Sequence, residues 1–218
     1  LHLMASDPTQ RRMDADVLYF AVSTEIEPLG PMPGLAEHVP ISTPSGYRLA
    51  GTLKRGDLVH TTRGELVPVL HTISRTVPAR GSFEPVRLRA PYFGLRQDII
   101  VAPEQRLVIS GTEVEYLFGR ESVLVPVSHL INGSSAIRNE PQTTVTYTQL
   151  ILPSHEPVYA AGCPLESLYI GRIRRSPENL AVSTLADLDR NSLPEHAKAV
   201  HPVLKPFEAI TLAKQRAA

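Results

Sequence analysis

Residues 143–171 read TTVTYTQLILPSHEPVYAAGCPLESLYIG, and the rest of the chain is organised around them. Two runs of β-forming residues, Thr143–Leu152 and Pro157–Ala161, flank a tight Pro153-Ser154-His155 corner. Thr, Val, Tyr, Ile and Leu dominate the first run, with polar and apolar positions roughly alternating, the pattern of a half-buried strand. Pro153 cannot donate to a β-ladder, so the first strand is expected to end there. His155 is then predicted at a strand end, on a short loop that presents its side chain to a cleft.

Working outward, the same cadence continues upstream. Pro44-Ser45-Gly46 marks a hairpin turn before a strand at Tyr47–Gly51. Lys54-Arg55-Gly56-Asp57 leads into Leu58–Thr62, and Arg63-Gly64-Glu65 into Leu66–Ile73. Pro85–Ala90, Asp98–Val101 and Arg106–Ser110 read as further strands, with Gly111-Thr112 as another hairpin corner. Val127–Ile131 reads as one helical turn. Turn signals every 8–12 residues or so are those of an all-β domain, and 20 prolines and 13 glycines fit that class. Before it, Val17–Ser23 is a compact apolar strand joined by a Pro/Gly-rich connector, Glu27–Gly34. After Gly171, Arg172-Ile173-Arg174-Arg175 is a basic cluster of the kind that lies on solvated surfaces. Ser183 is expected to cap a helix through Arg190 and Pro194 to open another through about Val200. Pro202–Glu208 reads as an extended packing segment. The expected division is 1–33 (strand and linker), 34–171 (β-domain) and 172–218 (helical and extended tail).

Composition narrows the function classes. Lys+Arg and Asp+Glu both number 22, so no basic surplus points to nucleic acid. No apolar run reaches the roughly 18–20 residues that cross a bilayer. Residues 1–16 lack the apolar centre of a secretory signal, which favours a cytoplasmic location. One cysteine allows neither an internal disulfide nor a cysteine zinc cage. No phosphate loop or nucleophile elbow is present, so no cofactor and no small-molecule substrate is expected.

Four motifs in order give this chain a family resemblance. Ile41-Ser42-Thr43-Pro44-Ser45-Gly46 with Gly56-Asp57-Leu58-Val59-His60-Thr61 resembles the opening signature of bacterial Hint domains, the fold shared by hedgehog autoprocessing domains and inteins, and most closely an alphaproteobacterial branch. Asp98–Leu107 resembles their middle signature, Leu124–Leu130 the "LVP-A-x-H-L" element, and Tyr147–Ser167 the last one. Pro202–Ala209 resembles tails that follow the domain. The resemblance implies a Hint-type all-β fold with an N-terminal strand appendage and a short helical C-terminal tail. It also implies autoprocessing ancestry, in which a first-residue Cys or Ser attacks the preceding carbonyl.

The departures bear on activity. Counting back from Ile41 places the nucleophile position near Gly34, and residues 34–40 contain no Cys, Ser or Thr. Gln105 stands where the resemblance implies an activating histidine, Ala102 replaces the hydroxyl residue three before it, and Gln149 occupies a second histidine position. Glutamine can donate a hydrogen bond but cannot carry a proton between about pH 5 and 8. Of the reactive set only His155 remains, read either as a strand-end histidine bonded to backbone or as a group orienting a carbonyl. Cys163 is expected after the last strand, in a turn. His129 reads as a core-edge residue, and His196 and His201 as surface residues. His60 and His71, on neighbouring strands, lack a third ligand, so no metal is expected.

The expected function is therefore a degenerate Hint domain, with remnant positions Gly34, Ala102, Gln105, Gln149 and His155, serving as a structural module or binding a protein partner. The alternative is autoprocessing through a hydroxyl nucleophile, Ser42 or Thr43 being nearest. A third reading is a β-domain outside this family.

Overall fold

Short β-branched runs, closed off by Gly and Pro turns, build the body of the molecule. The computed structural model describes residues 32–217. The first strands among them are β1 (Leu35–Ala36), β2 (Pro40–Thr43), β3 (Gly46–Leu49), β4 (Leu58–His60) and β5 (Leu66–Pro68). There follow β6 (His71–Pro78), β7 (Val86–Leu88), β8 (Ile99–Val101), β9 (Arg106–Ser110) and β10 (Ser122–Pro126). The last are β11 (Ala136–Arg138), β12 (Thr144–Ile151), β13 (Pro157–Ala160) and β14 (Cys163–Glu166). The α-helices among the described residues are α1 (Thr112–Phe118), α2 (Pro177–Ala181) and α3 (Pro206–Ala217), with short 3-10 turns between elements, one of them at Val127–Leu130.

One sheet runs β11–β7–β8–β1–β12–β6, a second runs β10–β9–β14–β13–β2–β3, and β4–β5 form a separate hairpin. The first run of the deciding stretch becomes β12, paired along its whole length with β6, from Thr144 opposite Pro78 to Ile151 opposite His71. Short β1 is inserted between β8 and β12, with Leu35 opposite both Val101 and Thr148. Ile41, Val59, Leu88, Ile99, Leu107, Val125, Leu152 and Leu165, drawn from both sheets and the hairpin, share one buried cluster.

Several expectations are corrected. The Gly111-Thr112 corner opens α1, which stops at Gly119 in the left-handed conformation (φ 61°). Cys163 begins β14 instead of trailing the last strand. Ala161 and Gly162, at φ 49° and 94°, close a two-residue turn, so Cys163 pairs directly with Ala160. No helix spans Ser183–Arg190. Helix α2 precedes it with Pro177 in its first turn, and the Ser183 hydroxyl donates to Leu180 O (2.8 Å) while accepting from Leu185 N–H (3.1 Å). Residues 194–200 are not helical either, because their N–H groups reach other elements: His196 N–H donates to Gly171 O at 2.8 Å and Val200 N–H to His155 Nδ1 at 3.0 Å.

The Pro202–Glu208 segment is extended only as far as Lys205. Val203 bridges Leu124 in parallel, then Pro206 starts α3, and Glu208 accepts the Lys205 N–H (2.7 Å) as a capping carboxylate. Ala209 and Leu212 of α3 are fully buried in the main cluster. The expected strand Val17–Ser23 and the connector up to residue 31 lie outside the described residues.

Candidate functional site

Because β1 lies between β8 and β12, the residues just before it meet the ends of both neighbours. The Ala102 N–H, just past β8, donates to Gly34 O at 2.8 Å. On β12, Gln149 Nε2 donates to Pro33 O. Gln105, at the entry to β9, donates its backbone N–H to Ala102 O (3.0 Å) and its Nε2 to Glu166 O (2.9 Å). Gly34, the Ala102–Gln105 turn and Gln149, far apart in the chain, thus converge. Beside them is a cavity of about 10 Å³, lined in part by Pro33, Gln105, Gln149, Glu166 and Ser167. Gly34 has no room to grow: a Cβ there would lie 2.8 Å from the Cβ of Tyr147. Tyr147 is itself wholly buried and donates its hydroxyl to Phe83 O at 2.8 Å.

Ser167 is the cavity residue the sequence reading passed over, although it is the final serine of the last signature. Its Oγ and the Gln149 Oε1 are both buried without a hydrogen-bond partner among the described residues. The cavity has room for a single water molecule, which could satisfy both.

His155 stands one residue back from this centre, behind Glu166. It was expected to face a cleft, yet it is buried beneath residues 194–200. Its Nδ1 accepts the Val200 N–H, so in the neutral ring the proton sits on Nε2. That nitrogen lies 3.0 Å from Glu166 Oε1, off the line of a well-formed hydrogen bond, which makes the contact chiefly electrostatic. Arg106 completes the charge balance, with Nη1 3.2 Å from each Glu166 oxygen. A carboxylate with this little exposure requires such compensation.

His196 packs against the same corner, its ring centre 5.8 Å from that of His155 and 6.0 Å from that of Tyr169. It is not the surface residue expected from sequence, being 2% exposed. Its Nδ1 accepts from Ile170 N–H (3.3 Å) and its Nε2 donates to Leu152 O (3.0 Å), the pattern of a neutral ring. Burial holds its pKa below the ordinary imidazole value. His201 is half-buried and shifted the same way, first by burial.

The hydroxyls considered as alternative nucleophiles lie elsewhere. Ser42 Oγ sits 3.0 Å from His60 Nδ1, and Thr43 Oγ1 donates to Gly46 O at 2.6 Å. His71 is engaged by Ser192, with Nε2 3.1 Å from its Oγ, so His60 and His71 serve different partners. Among the described residues no group of three His, Cys, Asp or Glu side chains could hold a metal ion. Cys163 is fully buried, and burial pushes its thiol up to about 12. Among the described residues no helix is long and apolar enough to cross a membrane.

Residues 33–172 match the family model of the Hint domain. The chain belongs to the Hint family. Solved structures similar to this Hint domain include a bacterial intein-like domain from Clostridium thermocellum, at 14% identity and a TM-score of 0.46, covering 63% of this chain and 99% of that one. The MchDnaB-1 intein is similar at 14% identity and a TM-score of 0.42, covering 62% and 99%. The gp41-1 intein is similar at 14% identity and a TM-score of 0.40, covering 63% and 99%. No curated protein matches the chain significantly.

Proposed function

We propose that this Hint domain neither splices nor cleaves itself, and that it acts as a structural or protein-interaction module. The observation that carries the reading is Gly34, where the family resemblance implies a nucleophile and where a Cβ would come within 2.8 Å of Tyr147. The chemistry needs a side chain at a position packed against having one. Gln105 and Gln149 support the same reading, since each amide is engaged in a hydrogen bond to a backbone carbonyl and neither titrates. Nucleophile and proton donor act as one unit in such chemistry, so losing both leaves background rates instead of a fractional activity. The apolar run Val17–Ser23, expected from sequence to be extended, and its Pro-rich connector are the partner-binding element in this proposal, because an extended apolar segment can add to a sheet edge. Residues 34–171 would be the domain proper and 172–218 a tail packed on it.

The test is the intact mass of the full chain after incubation with hydroxylamine or a thiol. The expected result is an unchanged mass. A fragment ending at Pro33 would overturn the proposal. A fragment ending at Ile41 would instead favour autoprocessing at Ser42, whose Oγ already contacts His60, and Ser42→Ala should then abolish it.

A further inference from the structure

Past residue 172, where the Hint match ends, Arg174, Arg175, Arg190, Asn191 and Glu195 line an open groove. Sequence alone shows Arg174 and Arg175 as part of a basic run. Folding brings Arg190 and Asn191 beside them through the turn at 189–192, where the Arg190 Nε donates to Arg174 O. Glu195 already acts as a carboxylate guest. Its Oε1 accepts from Arg174 Nε (2.8 Å) and Arg175 Nε (2.9 Å), and its Oε2 from Arg175 Nη2. These contacts, that from Arg175 first, hold the Glu195 carboxyl at about 2, so it stays ionised across the physiological range.

The groove is not neutralised. It is lined by three guanidiniums and a single carboxylate, Glu195, while Asp189, next to Arg190 in the chain, accepts the Asn191 N–H at 3.0 Å through its Oδ1. Arg174 Nη1 donates to Leu193 O (3.2 Å), which fixes that guanidinium from behind. Both terminal nitrogens of Arg190, Nη1 of Arg175 and the Asn191 amide have no protein acceptor among the described residues. Guanidinium forks held in place by one anion and left with spare donors suit a second, tetrahedral oxyanion.

We propose that this groove binds a phosphate-class oxyanion alongside Glu195, either as the free ion or on a phosphorylated protein segment. The inference does not rest on the Hint site, since none of its residues touches that centre.

The test is calorimetric titration of the full chain with inorganic phosphate, and separately with a phosphoserine peptide, at low ionic strength. Saturable binding that weakens as salt is raised is expected. Arg190→Gln should weaken it about tenfold, the loss of a charge-assisted contact. Glu195→Gln should tighten it about fivefold by removing a competing charge while leaving an acceptor for Arg175. The second variant reads the site even if the first disturbs the turn. A peptide that binds tenfold tighter than the free ion assigns the source to a protein segment, and equal affinities assign it to the small anion. No saturable binding of either probe, or affinities indifferent to both substitutions, would overturn the proposal.

Discussion

A β-carbon at Gly34 would meet that of Tyr147 at 2.8 Å, and Tyr147 cannot retreat, being wholly buried and tied through its hydroxyl to Phe83 O. Gly34→Ala should therefore destabilise the fold by about 1–3 kcal/mol, the range of overpacked cores. A shift in the urea midpoint would measure it, and a wild-type midpoint would show that the site can relax. His196 gives the second test at this scale. Burial favours its neutral form, so its contribution to stability is complete above the unfolded pKa of about 6.5 and is lost as the pH falls through that value toward its lower folded pKa. Urea midpoints should drop between about pH 7.5 and 5, and the slope should flatten in His196→Gln. His201, shifted in the same direction, leaves a residual slope. The convergence of Gly34, Ala102, Gln105 and Gln149 was legible through motif order. The burial of His196 was not, because it depends on where residues 194–200 dock and no local pattern records that. Ser167 was visible in the last signature but had no partner in the sequence to give it a role.

The strands were the legible elements. Alternating Thr, Val and Ile between Gly and Pro turns reads as strand, and β9 and β12 fall within one residue of their expected ends, whereas the single strand expected at Leu66–Ile73 divides into β5 and a β6 that starts at His71 and runs on to Pro78. Helices were harder. Gly111 sounds the same note before a hairpin as before α1, and what distinguishes the two is the following glutamates, Glu113 and Glu115, with Gly119 as the stop. Around Ser183 a good capping residue was present, yet its hydroxyl closes a turn on Leu180 instead. Tertiary packing also decides α3, whose inward residues Ala209 and Leu212 have no exposure. Leu212→Ala should cost about 2–5 kcal/mol, as other large-to-small core changes do. Chemical denaturation would measure it, and a change below about 0.5 kcal/mol would mean that α3 is merely lying on the surface.

At the scale of the molecule, the main buried cluster takes residues from both sheets, from the β4–β5 hairpin and from the tail, with Leu204, Ala209 and Leu212 in the same set as Leu35 and Ile41. Thermal unfolding of residues 1–218 should accordingly be one cooperative transition, identical by near- and far-ultraviolet circular dichroism. Two separated transitions would make the tail an independent unit.

The position of β1, wedged between β8 and β12, also bears on how the chain is made. As it leaves the ribosome, Leu35 and Ala36 have no neighbours on either side until segments more distant in the chain have been synthesised, a non-local arrangement that slows closure. The hollow that Leu204, Ala209 and Leu212 fill stays open even longer, so a nascent form of this protein presents a greasy surface to chaperones until those residues emerge.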